Sequence, residues 1–177
     1  MKKNIPVWQM GGFVFTAVVG TLLHFLFDWT GGNGIVALFS AVNESIWEHL
    51  KLLFYPMMAF ALVEYFAWGR EREGFWSGKL VGTLTGLLLI VTVYYTYTGA
   101  LGIKADWLNI GLFFLAAGVA FWVETKLLQK AFSCRVCDGL SVAALCALAM
   151  LFAAFTFCPP HMPIFRDPIA GGYGFFE

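Results

Sequence analysis

Five stretches of this chain are long enough and free enough of charge to cross a hydrocarbon core of about 30 Å, and that limits its fold more than any other property. Backbone N–H and C=O groups have no water to bond in lipid, so each stretch has to satisfy them internally as a helix. A water-facing surface cannot be built from a chain that is 60% hydrophobic and 12% charged, with a mean hydropathy of +0.76. The expected fold is therefore all-α: a polytopic transmembrane helix bundle of about five spans, with residues 1–177 forming a single transmembrane domain. A formal net charge of zero and the lack of a basic motif exclude nucleic acid as a partner class. The lipid bilayer is the partner the composition requires. A second copy of the chain, or another membrane protein, remains an open choice.

The spans are expected over residues 5–27, 45–68, 79–101, 107–128 and 139–158. Lys2 and Lys3 ahead of an apolar run also suit a secretory signal, but the run is long for one and lacks a small-residue cleavage site, so a retained helix is expected. Residues 35–68 as one straight helix would extend about 51 Å, too far for one crossing. Ser45 and Glu48 have the capping-box spacing that starts a new helix, which leaves residues 35–42 as a short segment packed on protein. Pro56 removes the donor to the Leu52 carbonyl and should kink the second span. Pro159 and Pro160 end the fifth span, and a Pro- and Gly-rich tail over 159–177 follows. Gly82, Gly86, Gly111 and Gly118 are expected to permit close helix approach.

Lysine and arginine set the orientation. With the amino terminus in the cytoplasm, Lys2, Lys3, Arg70, Arg72, Lys79, Lys126, Lys130 and Arg135 fall inside, leaving Lys51, Lys104 and Arg166 outside, eight against three. Trp8, Trp68 and Trp76 then lie at inner ends and Trp29, Trp47 and Trp107 at outer ends, as interfacial belts require. The carboxyl terminus is expected to be extracytoplasmic.

The polar residues that could carry chemistry gather on that outer side. His24 lies one helical turn below Asp28, about 6 Å deeper, and His49 lies about 7.5 Å deeper than Glu44, so the two imidazoles reach similar depth. Asn43, Glu44, Glu48 and Lys51 surround the start of the second span, Tyr94 ends the third, and His161, Arg166 and Asp167 come from the tail. An ionisable group within a membrane costs about 2.5–3.5 kcal/mol on insertion scales, so each needs a partner. Three readings compete. Glu48 with Lys51, or Asp28 with His49, could be paired charges that lock helices together. His24, His49 and His161 with carboxylates suit a divalent metal such as zinc. An outer charge of three basic against six acidic residues (Asp28, Glu44, Glu48, Asp106, Asp167, Glu177) would favour a small polar or cationic ligand. Were a metal bound, Glu44 or Glu48 is the candidate general base of a hydrolase. On the cytoplasmic side, Cys134 and Cys137 form one Cys-x-x-Cys pair, expected as free thiols in a loop, and Glu64 and Glu124 are expected to pair with nearby basic residues.

Three segments, His24-Phe25-Leu26-Phe27-Asp28-Trp29, Val42-Asn43-Glu44-Ser45-Ile46-Trp47-Glu48-His49-Leu50-Lys51 and Pro159-Pro160-His161-Met162-Pro163-Ile164-Phe165-Arg166-Asp167-Pro168, resemble a family of small bacterial polytopic membrane proteins of unknown function. The resemblance implies a multi-pass protein of the bacterial plasma membrane. It points to the same outer-face residues and brings no activity with it. Read together, the residues lead to an outer pocket formed by spans one to three under the tail, binding a metal ion or small polar ligand for transport or sensing. The alternatives are an intramembrane metal-dependent hydrolase and a structural or partner-binding subunit.

Overall fold

Charge-free runs become helices in the expected order. A computed structural model describes residues 4–103, 105–130 and 135–176, with Arg135 and Val136 as backbone only. Lys2, Lys3, Lys104, Cys134 and Glu177 lie outside the described residues. The helices are α1 (Ile5–Trp29), α2 (Ile46–Ala67), α3 (Phe75–Tyr95), α4 (Asp106–Gln129) and α5 (Arg135–Phe157). A π-helical turn, Thr96–Ala100, prolongs α3. Five described helices are long and apolar enough to cross a membrane, and the chain is a multi-pass membrane protein.

α1 is inverted relative to a helix of a soluble bundle, whereas α2 buries Leu50, Leu53, Phe54 and Met57. On α1 the exposed stripe is Val7, Met10, Val14, Val18, Leu22, Phe25 and Trp29, while the buried stripe is Gln9, Gly12, Thr16 and Gly20. Lipid is as apolar as leucine, so large side chains face outward and small ones let backbones approach. Gly20 shows how close that approach is. A Cβ there would stand 2.5 Å from the Leu52 carbonyl oxygen and 2.7 Å from the Phe113 ring. The Leu52 carbonyl is the one that Pro56 deprives of its donor, and α2 continues as helix through the proline. Gly82 and Gly86 likewise sit in close contact with α4, as expected, but nothing lies within 4 Å of a Cβ at Gly111, which faces open space instead.

Two helix starts are set from outside the helix. Ser45 caps α2 by accepting the Glu48 N–H at 3.4 Å, but the Glu48 carboxylate does not complete the capping box, because it is drawn to other donors described below. α3 begins before the expected residue 79. Asp138 of α5 accepts the N–H groups of Gly74 (2.8 Å) and Ser77 (2.9 Å), supplying the cap from a neighbouring helix. Cys137, next to it, is disulfide-bonded, where a free thiol was expected.

The segment between α1 and α2 folds onto the bundle around a 3-10 turn, Val36–Leu38, with Ala37, Ser40 and Ala41 buried. Ser40 accepts the Phe27 N–H and donates to the Leu23 carbonyl, fastening this segment to the end of α1. The tail is fastened by aromatics. Phe165 is buried against Trp47 of α2 and Phe155 of α5, with ring centroids 4.9 and 5.2 Å apart. Phe175 N–H donates to the Thr156 carbonyl at 2.8 Å, folding the last residues back over the end of the bundle.

Candidate metal centre and its pocket

Glu44 precedes α2 and is placed by the tail. Its N–H donates to the Asp167 carboxylate at 3.3 Å, while the Asn43 amide accepts the Ser45 N–H at 2.9 Å and donates to the Gly174 carbonyl at 3.1 Å. Asp167 also accepts the N–H groups of Ile169 (2.7 Å) and Ala170 (3.0 Å), so its carboxylate organises the tail turn. Asn43 and Asp167 thereby act on the backbone around the site.

His49, one turn into α2, donates from Nδ1 to the Ser45 carbonyl at 2.9 Å. A carbonyl can only accept, so Nδ1 carries a hydrogen and the lone pair of the neutral ring is on Nε2. That Nε2 lies 3.3 Å from His24 Nε2 and 3.4 Å from Glu44 Oε2. Glu44 Oε1 is 3.9 Å from His24 Nε2. One ligand atom from each of His24, Glu44 and His49 falls within 4.8 Å of the others. The Glu44 side chain is 42% exposed, which leaves the triad open on one side. With the rings protonated and no metal between them, a hydrogen bond from His49 Nε2 holds the Glu44 carboxyl below its ordinary value, and the charges of His49 and His24 act in the same sense against partial burial.

Glu48 and Lys51 point elsewhere. Lys51 Nζ donates to Glu48 Oε2 (2.5 Å), the Ala37 carbonyl (2.7 Å) and Thr156 Oγ1 (2.9 Å), using all three of its hydrogens. Glu48 also accepts from Val42 N–H at 3.2 Å and Thr156 Oγ1 at 2.9 Å. Both residues are fully buried, and they bind α2 to α5 and to the segment before α2. Thr156, which closes this network, carries no signal in the sequence beyond being a hydroxyl in an apolar helix.

A cavity of about 500 Å³ opens beside the triad. Its walls come from α1 to α4 and from Pro168 and Ile169 of the tail, so α4 joins the three spans expected to form it. Beyond the triad the polar lining is Thr21, Tyr94, Tyr97, Thr98, Asp106 and Asn109, with Tyr97 donating from its hydroxyl to Asn109 Oδ1. Tyr94 is where the sequence puts it. Asp106 is one of the six outer acidic residues and Tyr97 one of the hydroxyls at the outer end of the third span, whereas Asn109 was not singled out. The remaining candidates are not part of the triad: Asp28 and Arg166 are exposed, and the His161 ring packs tilted against Tyr173 with centroids 4.6 Å apart.

No curated protein and no solved structure matches the chain. A family of unknown function, DUF6512, matches residues 1–175, and the chain belongs to that family.

Proposed function

We propose that this protein binds a divalent metal ion, zinc-like in its preferences, through His24, Glu44 and His49 at the extracytoplasmic end of the bundle. The spacing of the two imidazoles carries the reading. Bonds of 2.0–2.1 Å in a tetrahedral zinc site hold ligand atoms about 3.4 Å apart. The 3.3 Å between the two Nε2 atoms and the 3.4 Å from His49 to Glu44 match that spacing. The Ser45 carbonyl supplies the outer hydrogen bond that orients a ligating histidine.

Three protein ligands leave a fourth position facing the cavity, as in sites where the metal binds a small molecule or activates water. That arrangement favours a sensor or carrier of a small polar ligand. It also supports a second reading, a metal-dependent hydrolase, in which Asp106 of the cavity wall takes the place of buried Glu48 as candidate general base. The orientation follows the basic residues. Removing buried Lys51 and Lys79 from the tally leaves seven inside (8 − 1) against two outside (3 − 1). The compartment that fits is the bacterial plasma membrane, with a second copy or another membrane protein as further partner.

Metal analysis and zinc titration of the purified full-length protein test this reading. About one equivalent is expected in the wild type, His24→Ala and His49→Ala should each lose it, and the double variant should lose little more, since ligands of one ion act as a unit. Equal zinc binding by the wild type and the double variant would overturn it.

A further inference from the structure

At the opposite end of the bundle a second set of ionisable groups is sealed from solvent. Lys79 of α3 lies between Glu64 of α2 and Glu124 of α4, bonded to Glu64 Oε2 and, at 2.6 Å, to Glu124 Oε2. Gln9 of α1 donates from Nε2 to Glu64 Oε1 at 2.8 Å. Glu64, Lys79 and Glu124 are each no more than 1% exposed, and Gln9 is 2% exposed. The other faces of the ammonium are closed by the Phe75 and Phe121 rings, 5.6 and 5.8 Å away.

The charges do not balance. Two carboxylates meet one ammonium, and no further charged or titratable group among the described residues is bonded to the cluster from α1, α2, α3 or α4. A net negative charge sealed in protein at membrane depth is costly, and two carboxylates that share a site do not both ionise. The two acids are treated differently. Both oxygens of Glu64 accept hydrogen bonds, which favours its charged form. Among the described residues Glu124 has only the Lys79 hydrogen bond, and its buried Oε1 has no partner there, as is also true of the Gln9 Oε1. The Glu124 side chain fills the space where Gly82 lacks a Cβ, with Cγ 2.2 Å from the position a Cβ would take.

We propose that the Glu64–Lys79–Glu124 cluster is a proton-binding site, with one proton held on Glu124 while Glu64 and Lys79 stay charged. The same helices, α2, α3 and α4, wall the metal-site pocket at the other end. Releasing the proton would put the excess negative charge back among three packed helices.

Infrared spectroscopy of the full-length protein in lipid nanodiscs tests the site without reference to metal. A protonated-carboxyl band that shifts in deuterated buffer is expected at neutral pH. It should vanish in Glu124→Gln, which mimics the neutral acid and should unfold at the wild-type temperature. It should vanish in Glu64→Gln as well, because the remaining acid and base then balance. Absence of the band in the wild type, or its survival in Glu124→Gln, overturns the proposal. So does a sodium-specific rise in unfolding temperature, at constant ionic strength, that Glu124→Gln abolishes, since the occupant would then be the sodium ion.

Discussion

Glu48 and His49 are neighbours in sequence but belong to different parts of the molecule. A helix turns about 100° per residue, so Glu48 points to α5 and His49 to α1. The Glu48 carboxylate, the Lys51 ammonium and the Thr156 hydroxyl are partnered with one another or with nearby backbone and shut off from solvent, whereas around His49 three ligand-type atoms face one another beside an open cavity. The first arrangement fixes helices. The second leaves coordination capacity unused by the fold. Among ionisable groups at the same depth, closure therefore separates a packing device from a binding site better than residue type does.

The comparison is broken most severely on the closed side. Lys51→Met removes one partner of a buried pair and leaves Glu48 charged without compensation, so it should destabilise the protein by about 3–5 kcal/mol, measured by unfolding in mixed micelles. His49→Ala, by contrast, should leave unfolding near the wild-type value. Comparable losses in both variants would mean that the two regions do not differ in the way described. Thr156→Val is a milder probe of the closed network. It leaves Glu48 Oε1 and one Lys51 hydrogen unpaired while keeping the side-chain shape, and should cost about 1–3 kcal/mol in the same assay.

Acidity gives the smallest effect, and it belongs to the open side. Because the folded Glu44 carboxyl titrates below its ordinary value of 4.5, its contacts with the histidines stabilise the fold above that pH and are lost as pH falls through the lowered folded value. Unfolding midpoints of wild type and Glu44→Gln should differ slightly above pH 4.5 and converge below it. A gap that persists into stronger acid would assign Glu44 a purely steric role.

Much of the fold could be read from the placement of charge. Uncharged runs marked the helices, Ser45 marked the start of α2, and the rise per residue matched His24 to His49 in depth. Depth is a property of one helix at a time. What the sequence left open is rotation, because helices that are apolar on nearly every side show no stripe to orient them. Glu48, with the spacing of a capping-box carboxylate and one residue from His49, could not be told from a pocket residue until the partners from Thr156 and Val42 were in view. The tail was harder still. His161 shares a side with the other histidines in any topology, yet the turn organised by Asp167 takes it to Tyr173. Glu64 and Glu124 were expected to pair with basic residues, and the one that serves both is Lys79, whose place at the start of the third span made it one of eight cytoplasmic charges.

The contact between Gly20 and the Leu52 carbonyl bears on how the chain is assembled in the membrane. A helix inserted alone must present its donor-deprived carbonyl to lipid, where an unpaired peptide oxygen costs several kcal/mol. For α2 that oxygen is Leu52, orphaned by Pro56, and the hydrogen in place of a Gly20 Cβ points at it. The second helix is thus a poor solitary span and a good partner for the first, which has already been synthesised when α2 emerges. Pairing of α1 with α2 becomes the natural first step of assembly. It is also the step that brings His24 to His49, so the His–Glu triad is framed before the remaining three helices arrive.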